Sequence, residues 1–187
     1  MSMVDTGTMR KGITIVMDGE LFKIMEYAHV KQGRGTAYVR LTLRNVRSGS
    51  TIVKTVMAGE RFEQARLENK KVQFLYRDGD QFYFMDQETF EQPIVGADII
   101  GDAVKYMKEG LELELLFYGD EALDVSLPTA VELMITDTEP NYKGDTTTGG
   151  KPATLETGAV TQVPFFVERG EVVRVDTRTG AYIERVS

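Results

Sequence analysis

Short runs in which β-branched, aromatic and aliphatic residues alternate with polar ones recur along the whole chain. They fall at residues 13–17, 21–30, 36–43, 50–57, 72–77, 81–85 and 111–117, and again at 122–126, 131–136, 159–167 and 172–176. Turn formers stand between them, as in Met17-Asp18-Gly19, Arg47-Ser48-Gly49, Arg77-Asp78-Gly79 and Thr179-Gly180. A period of two bounded by glycine turns predicts strands, because side chains on a pleated strand point alternately to core and solvent. Helical patterning is confined to residues 59–67 and 97–109, both short. About a dozen short strands at this spacing predict an all-β protein, either one sandwich or several small barrels, and periodicity does not choose between them. An internal echo adds one hint. Phe84-Met85-Asp86-Gln87-Glu88-Thr89-Phe90-Glu91 is similar to Arg174-Val175-Asp176-Thr177-Arg178-Thr179-Gly180-Ala181-Tyr182, as if the last two thirds held two related barrels.

Composition narrows the chemistry. At 187 residues, 42% hydrophobic and 27% charged, the chain is globular and long enough for one domain or for two or three small ones. There is no cysteine, which removes disulfides, thiolate metal sites and cysteine nucleophiles and suits a reducing cytoplasm. His29 is the only histidine, so a Ser-His-Asp triad or a two-histidine metal site has no material within one chain; His29 itself reads as an ordinary strand residue. The start of the chain has no uninterrupted apolar stretch, and no segment approaches the roughly 20 apolar residues needed to span a bilayer. A soluble, untargeted, cytoplasmic protein is expected, with no membrane partner.

A net charge of −7 argues against a polyanionic partner until its distribution is considered. Residues 1–65 hold ten basic and six acidic groups, a net of +4, which leaves −11 for the rest. Such a split suggests that one end faces phosphate while the other stays solvated or meets a less phosphate-rich surface. Gly144-Asp145-Thr146-Thr147-Thr148-Gly149-Gly150-Lys151-Pro152 looks superficially like a phosphate-binding loop. It has Asp145 where the Walker pattern needs glycine and Pro152 where it needs Ser or Thr, so it reads as a connecting loop whose backbone and hydroxyls are free to touch RNA. The carboxylates read as a solvated face, and no metal site, cofactor or catalytic residue is expected.

Two adjoining stretches carry a family resemblance. Lys151-Pro152-Ala153-Thr154-Leu155-Glu156-Thr157-Gly158-Ala159-Val160-Thr161-Gln162-Val163-Pro164-Phe165-Phe166-Val167-Glu168-Arg169-Gly170 closely resembles the C-terminal signature of the elongation factor P family, and residues 171–182 continue the match. Lys11-Gly12, Met17-Asp18-Gly19-Glu20, Leu43-Arg44-Asn45 and Phe84-Met85-Asp86 extend it over the whole chain. The resemblance implies three small β-barrels in an L-shaped row: an SH3-like (KOW-type) barrel at 1–64, a central OB-type barrel at 65–127 and a C-terminal OB-type barrel at 128–187.

It further implies a non-enzymatic, cofactor-free monomer that binds the ribosome, its RNA and proteins, between the peptidyl and exit sites. There it braces the peptidyl-tRNA, so that peptide-bond formation resumes on polyproline stretches. In the family the tip of a first-domain hairpin reaches the CCA end of the tRNA. Here that loop is Val30-Lys31-Gln32-Gly33-Arg34-Gly35-Thr36, with Arg34 at the tip and Lys31, Gly33 and Gly35 supporting it. Glycines on both sides remove bulk and permit positive φ, and a guanidinium offers five donors to phosphate or ribose. An enzyme that rhamnosylates Arg34 is compatible with this residue, as is an unmodified arginine; attachment to lysine is not. Gly144, Asp145 and Thr146 match a third-domain loop that approaches the exit-site mRNA codon. The alternatives are an elongation factor P-like paralogue, or an OB-fold RNA-binding protein with no ribosomal role, against which the acidic second and third barrels weigh.

Overall fold

The computed structural model of the chain describes residues 1–31, 33–140 and 149–187, which build three sheets. The first has six strands, β1 (Ser2–Asp5), β2 (Thr14–Met17), β3 (Glu20–Val30), β4 (Tyr38–Asn45), β5 (Thr51–Met57) and β6 (Arg61–Gln64), in the order β1-β6-β2-β3-β4-β5. Asp18 and Gly19 both take positive φ, 53° and 77°, and join β2 to β3 with Met17 opposite Glu20. That pair of left-handed residues is what a two-residue hairpin requires if its strands are to keep their right-handed twist. Ile15, Ile24, Val39, Leu41 and Leu43 are fully buried in the core of this sheet.

The helix expected over 59–67 is instead a strand. Phe62 packs into the core opposite Val4 of β1, and Gln64 and Glu63 face Ile15 and Val16 of β2. Pairing on both edges, with a buried aromatic to place, outweighs a weak local helical preference. The sequence pattern gave no sign of β1, a four-residue strand with a single buried residue, Val4.

The second sheet holds β7 (Glu68–Asp78), β8 (Gln81–Asp86), β9 (Ile94–Gly96), β10 (Glu112–Tyr118) and β11 (Glu121–Ser126), ordered β11-β10-β7-β8-β9. Phe74 lies 5.9 Å from Phe82 and 5.5 Å from Phe84, ring centre to ring centre, inside it. The helix expected over 97–109 is one α-helical turn, α1 (Ala97–Ile100), followed by a 3-10 stretch over Gly101–Tyr106. Gly101, with φ of 52°, ends the α-helical hydrogen bonding. The third sheet holds β12 (Ala130–Thr138), β13 (Lys151–Leu155), β14 (Val160–Val163), β15 (Val172–Asp176) and β16 (Tyr182–Arg185), ordered β14-β13-β12-β15-β16. The strand expected over 159–167 stops at Val163 because Pro164 has no N–H to give a ladder.

Numbered from its own first strand, each of the last two sheets has the order 3-2-1-4-5. They are therefore two copies of one topology. The sequence echo, however, is not the trace of that repetition. Its first half closes the β8–β9 connection, between local strands 2 and 3, and its second half closes β15–β16, between local strands 4 and 5. What the two segments share is a turn. In one, Asp86 Oδ1 accepts from the Glu88 N–H (2.8 Å), the Phe90 N–H donates to the Asp86 carbonyl (2.9 Å), and the Asp86 N–H donates to Glu91 (2.8 Å). In the other, Asp176 Oδ1 accepts from Arg178 (2.8 Å), Gly180 donates to the Asp176 carbonyl (2.7 Å), and Asp176 donates to Ala181 (2.8 Å). The same turn occurs a third time between β4 and β5, where Asn45 Oδ1 accepts from Arg47 (2.9 Å) and Ser48 (3.0 Å), and Gly49 donates to the Asn45 carbonyl (2.8 Å). The fifth residue is left-handed in all three: Gly49 at 75°, Phe90 at 62° and Gly180 at 75°.

By internal contacts the chain falls into two compact units, residues 1–68 with 117–123, and residues 69–116 with 124–187. Within the first unit the turn between β10 and β11 is tied to the Asn45 loop by Arg47, which donates from Nε and Nη2 to the two oxygens of Glu121 (2.8 and 3.0 Å). Its Nη1 donates to Glu20 at 3.3 Å. The fork-on-carboxylate geometry raises the Arg47 pKa and lowers that of Glu121.

Candidate functional site

β3 and β4 form the longest hairpin of the first sheet and carry Arg34 in their connection. Leu21, Phe22 and Ile24 are buried near the base of β3, whereas Glu26, Tyr27, Ala28 and His29 are exposed, so this end of β3 has left the core. A bulge at Met25 lies between the two parts; Ile24 faces Leu43 before it and Glu26 faces Thr42 after it. His29 is an exposed strand residue, its ring edge-on to Tyr27 at 6.0 Å.

Lys31, Gly33, Arg34 and Gly35 are all exposed, and Gly33 takes φ of 53° in the turn that presents Arg34. The glycine therefore does what its position requires, since a left-handed residue with a side chain would be strained there. The Arg34 guanidinium makes no ion pair or hydrogen bond among the described residues. Four other arginines are paired among the described residues: Arg47 with Glu20 and Glu121, Arg174 with Glu132 and Glu184, Arg178 with Asp176, and Arg185 with Glu171.

The ladder also brings together cations that the sequence shows only as scattered charge. Arg40 and Arg44 are exposed on one face of β4, on either side of Thr42, and Arg44 stands opposite Lys23 of β3, itself exposed. None of the three is in an ion pair among the described residues. A period-two placement of arginines on β4 was the available signal, but only the register shows that Lys23 joins them. The result is one solvent face with Lys23, Arg40 and Arg44, on the hairpin whose connection bears Lys31 and Arg34. It suits a phosphate backbone, because unneutralised cations can release its counterions.

Gly144, Asp145 and Thr146 lie outside the described residues. Of the glycine- and threonine-rich stretch, Lys151 is described, and it is only 3% exposed at the start of β13. Its Nζ donates to the Glu139 carbonyl at 2.5 Å. A buried ammonium committed to a backbone oxygen is not available to a nucleotide phosphate, which disposes of the nucleotide-binding reading on geometry as well as spacing. Among the described residues no group of three or more His, Cys, Asp or Glu is placed to hold a metal ion, and no helix is long and apolar enough to cross a membrane.

An exposed basic arm on the first of three β-rich domains, followed by two copies of a 3-2-1-4-5 sheet, defines a multi-barrel binding protein of the KOW and OB type. Three family models cover nearly the entire chain: the elongation factor P KOW-like domain at residues 5–62, the elongation factor P OB domain at 67–125, and the elongation factor P C-terminal domain at 131–185. The chain is 57% identical over 185 residues to elongation factor P of Herpetosiphon aurantiacus, and 50% identical over 184 residues to that of Nostoc punctiforme. Each match covers 98% of this chain and all of the relative. The chain belongs to the elongation factor P family, and it is a translation factor, not an enzyme. Its fold is also similar to a eukaryotic translation initiation factor 5A structure from Methanococcus jannaschii, with a TM-score of 0.56 and 19% identity. That match covers 67% of this chain and 94% of the other.

Proposed function

We propose that the chain binds the ribosome between the peptidyl and exit sites and braces the acceptor end of peptidyl-tRNA with Arg34, restoring peptide-bond formation where consecutive prolines have stalled it. In this reading residues 1–64, 65–127 and 128–187 are the three domains of a cytoplasmic monomer. The observation that carries the reading is the exposed, unneutralised guanidinium of Arg34 at the connection of a hairpin whose solvent face bears Lys23, Arg40 and Arg44. Lys31 and that face hold tRNA or ribosomal RNA phosphates, while Gly33 and Gly35 keep the tip narrow.

The chemistry is positional. Proline fixes φ, and as an attacking residue its secondary amine is constrained, so a polyproline peptidyl-tRNA rests in a poor attack geometry. Holding the acceptor end converts a loose encounter into an aligned one, and no proton transfer or nucleophile from the factor is needed. Gly144, Asp145 and Thr146 serve the same purpose at the exit-site codon, where a carboxylate accepts from a base or ribose donor and the hydroxyl and backbone N–H are neutral partners.

A bare arginine meets these demands, being permanently charged with five donors. Translation of a triple-proline reporter in a reconstituted system tests this with unmodified recombinant protein, its Arg34→Ala variant and no factor. Relief by the unmodified protein, lost in Arg34→Ala, is expected. If only protein from its native host is active, an enzyme modifying Arg34 is required and an added mass on that residue should be found. If native protein also fails, the reading is wrong.

A further inference from the structure

The three copies of the six-residue turn differ in what they touch. The first uses Arg47 to grip Glu121. The third is packed: the Gly180 carbonyl accepts from Thr161 at 2.6 Å, and a side chain at Gly180 would run into the Tyr106 hydroxyl. The second contains Phe90, whose side chain is 69% exposed and takes part in no ring stacking within the described residues.

Phe90 is costly in two ways. Its φ of 62° is a conformation in which the two sister turns have glycine, and its ring is left in water. Neither helps the fold. Around it, Glu88 and Glu91 are exposed and form no ion pair among the described residues. Asp86 is buried beneath, accepting the loop's own N–H groups, and Lys70 and Lys71 come to the base of the loop, Lys71 through its carbonyl.

We propose that Phe90 is an anchor that inserts into an apolar socket on a basic protein surface of the ribosome, with Glu88 and Glu91 pairing to the socket's cationic rim. A large aromatic enclosed by a charged rim is the usual composition of an interface hot spot. The two carboxylates choose protein over RNA, because a phosphate-rich surface would repel them. The inference rests on the ribosome-binding reading above and adds a second, phosphate-independent contact to it.

Phe90→Gly installs the residue of the sister turns and separates folding from binding. Relief of the left-handed strain, partly offset by glycine's greater freedom when unfolded, is expected to raise Tm by about 1–3 °C. Affinity for purified ribosomes is expected to fall about tenfold or more. A photoreactive p-benzoylphenylalanine at position 90 is expected to cross-link to a ribosomal protein. Affinity unchanged in Phe90→Gly while wild type binds, a lowered Tm, or a cross-link to ribosomal RNA would each overturn the proposal and leave the ribosome-binding reading standing. Wild-type protein that fails to bind ribosomes overturns both.

Discussion

Asp86 organises the second of the three turns, and replacing it separates the contribution of its shape from that of its charge. The side chain is 4% exposed, and one oxygen, Oδ1, accepts both the Glu88 N–H at 2.8 Å and the Thr89 N–H at 3.1 Å. Those same bonds hold its pKa below the ordinary carboxylate value. Removing an ionised acceptor from two N–H donors costs about 1–1.5 kcal/mol for each, because the loop N–H groups regain water only in part. Asp86→Ala is therefore expected to destabilise this sheet by about 2–3 kcal/mol. Asp86→Asn keeps one oxygen in the same place, as Asn45 does in the first turn, and should lose about 1 kcal/mol, the difference between a charged and a neutral acceptor. Unfolding of the whole chain would mix three sheets, so the measurement should be local. Exchange of the Phe74 and Phe84 amides, bonded to Leu111 and Pro93, reports on this sheet alone. Protection should fall roughly 30- to 150-fold in the alanine variant and about fivefold in the asparagine variant. If the two variants lose protection equally, the charge of Asp86 contributes nothing and the reasoning fails; if alanine loses none, the turn itself is dispensable.

Other outcomes follow from the same geometry. Arg40→Ala and Arg44→Ala should each leave Tm unchanged and reduce the slope of log affinity against log salt for ribosome binding by about 1, measured between low and physiological salt; an unchanged slope would remove that residue from the phosphate-facing surface. Asp176 is held down to about 2, first by the Arg178 side chain and then by its backbone N–H. Its folded pKa lies below the unfolded one, so its contribution is complete above about pH 4 and is lost as pH falls through about 2. Wild type should be more stable than Asp176→Asn at pH 7 in urea denaturation, with the gap closing towards pH 2; a gap that widens on acidification would refute the assignment. Arg47→Ala breaks an exposed but bidentate contact to Glu121 and should cost about 1 kcal/mol or less at low salt, falling further as salt is added; a loss that salt does not reduce would point to packing instead.

Strands were legible where alternation was strong and partners were near in sequence. β2 to β5 and β7, β8, β10, β12 and β15 all appear within a few residues of where the pattern puts them, and the Asp18-Gly19 hairpin follows from two residue types. The failures have a common cause. β6 looked helical because its identity depends on β1, nearly sixty residues away, and on a buried place for Phe62 that only the closed sheet provides. β16 has one half-buried residue, Tyr182, and three exposed ones, so its own sequence hardly encodes a strand. The internal echo was real as chemistry and misleading as history: Asp-x-x-Thr specifies a turn through its own hydrogen bonds wherever two strands need joining, and says nothing of which strands they are.

The candidate site divides along the same line. Arg34 was singled out because the family resemblance puts a hairpin tip there, which the glycine on each side of the cation fits, and the structure places it in an exposed turn. The basic face could not, because Lys23 joins Arg40 and Arg44 only through the pairing of β3 with β4, and the bulge at Met25 sets what stands beside Arg40. With Met25 bulged, Arg40 stands opposite Ala28, and Arg44, on the near side of the bulge, stands opposite Lys23. Extending the near-side register without the bulge would put Tyr27 opposite Arg40 and Glu26 opposite Leu41. The present register instead leaves Arg40 beside a methyl group, too small to cover it. Deleting Met25 would make Ile24–Leu43 and Glu26–Thr42 successive pairs and leave Arg40 opposite Ala28 and Arg44 opposite Lys23, so the basic face should survive the deletion and ribosome binding should keep its salt dependence, whereas an arm whose bend the bulge supplies would change direction.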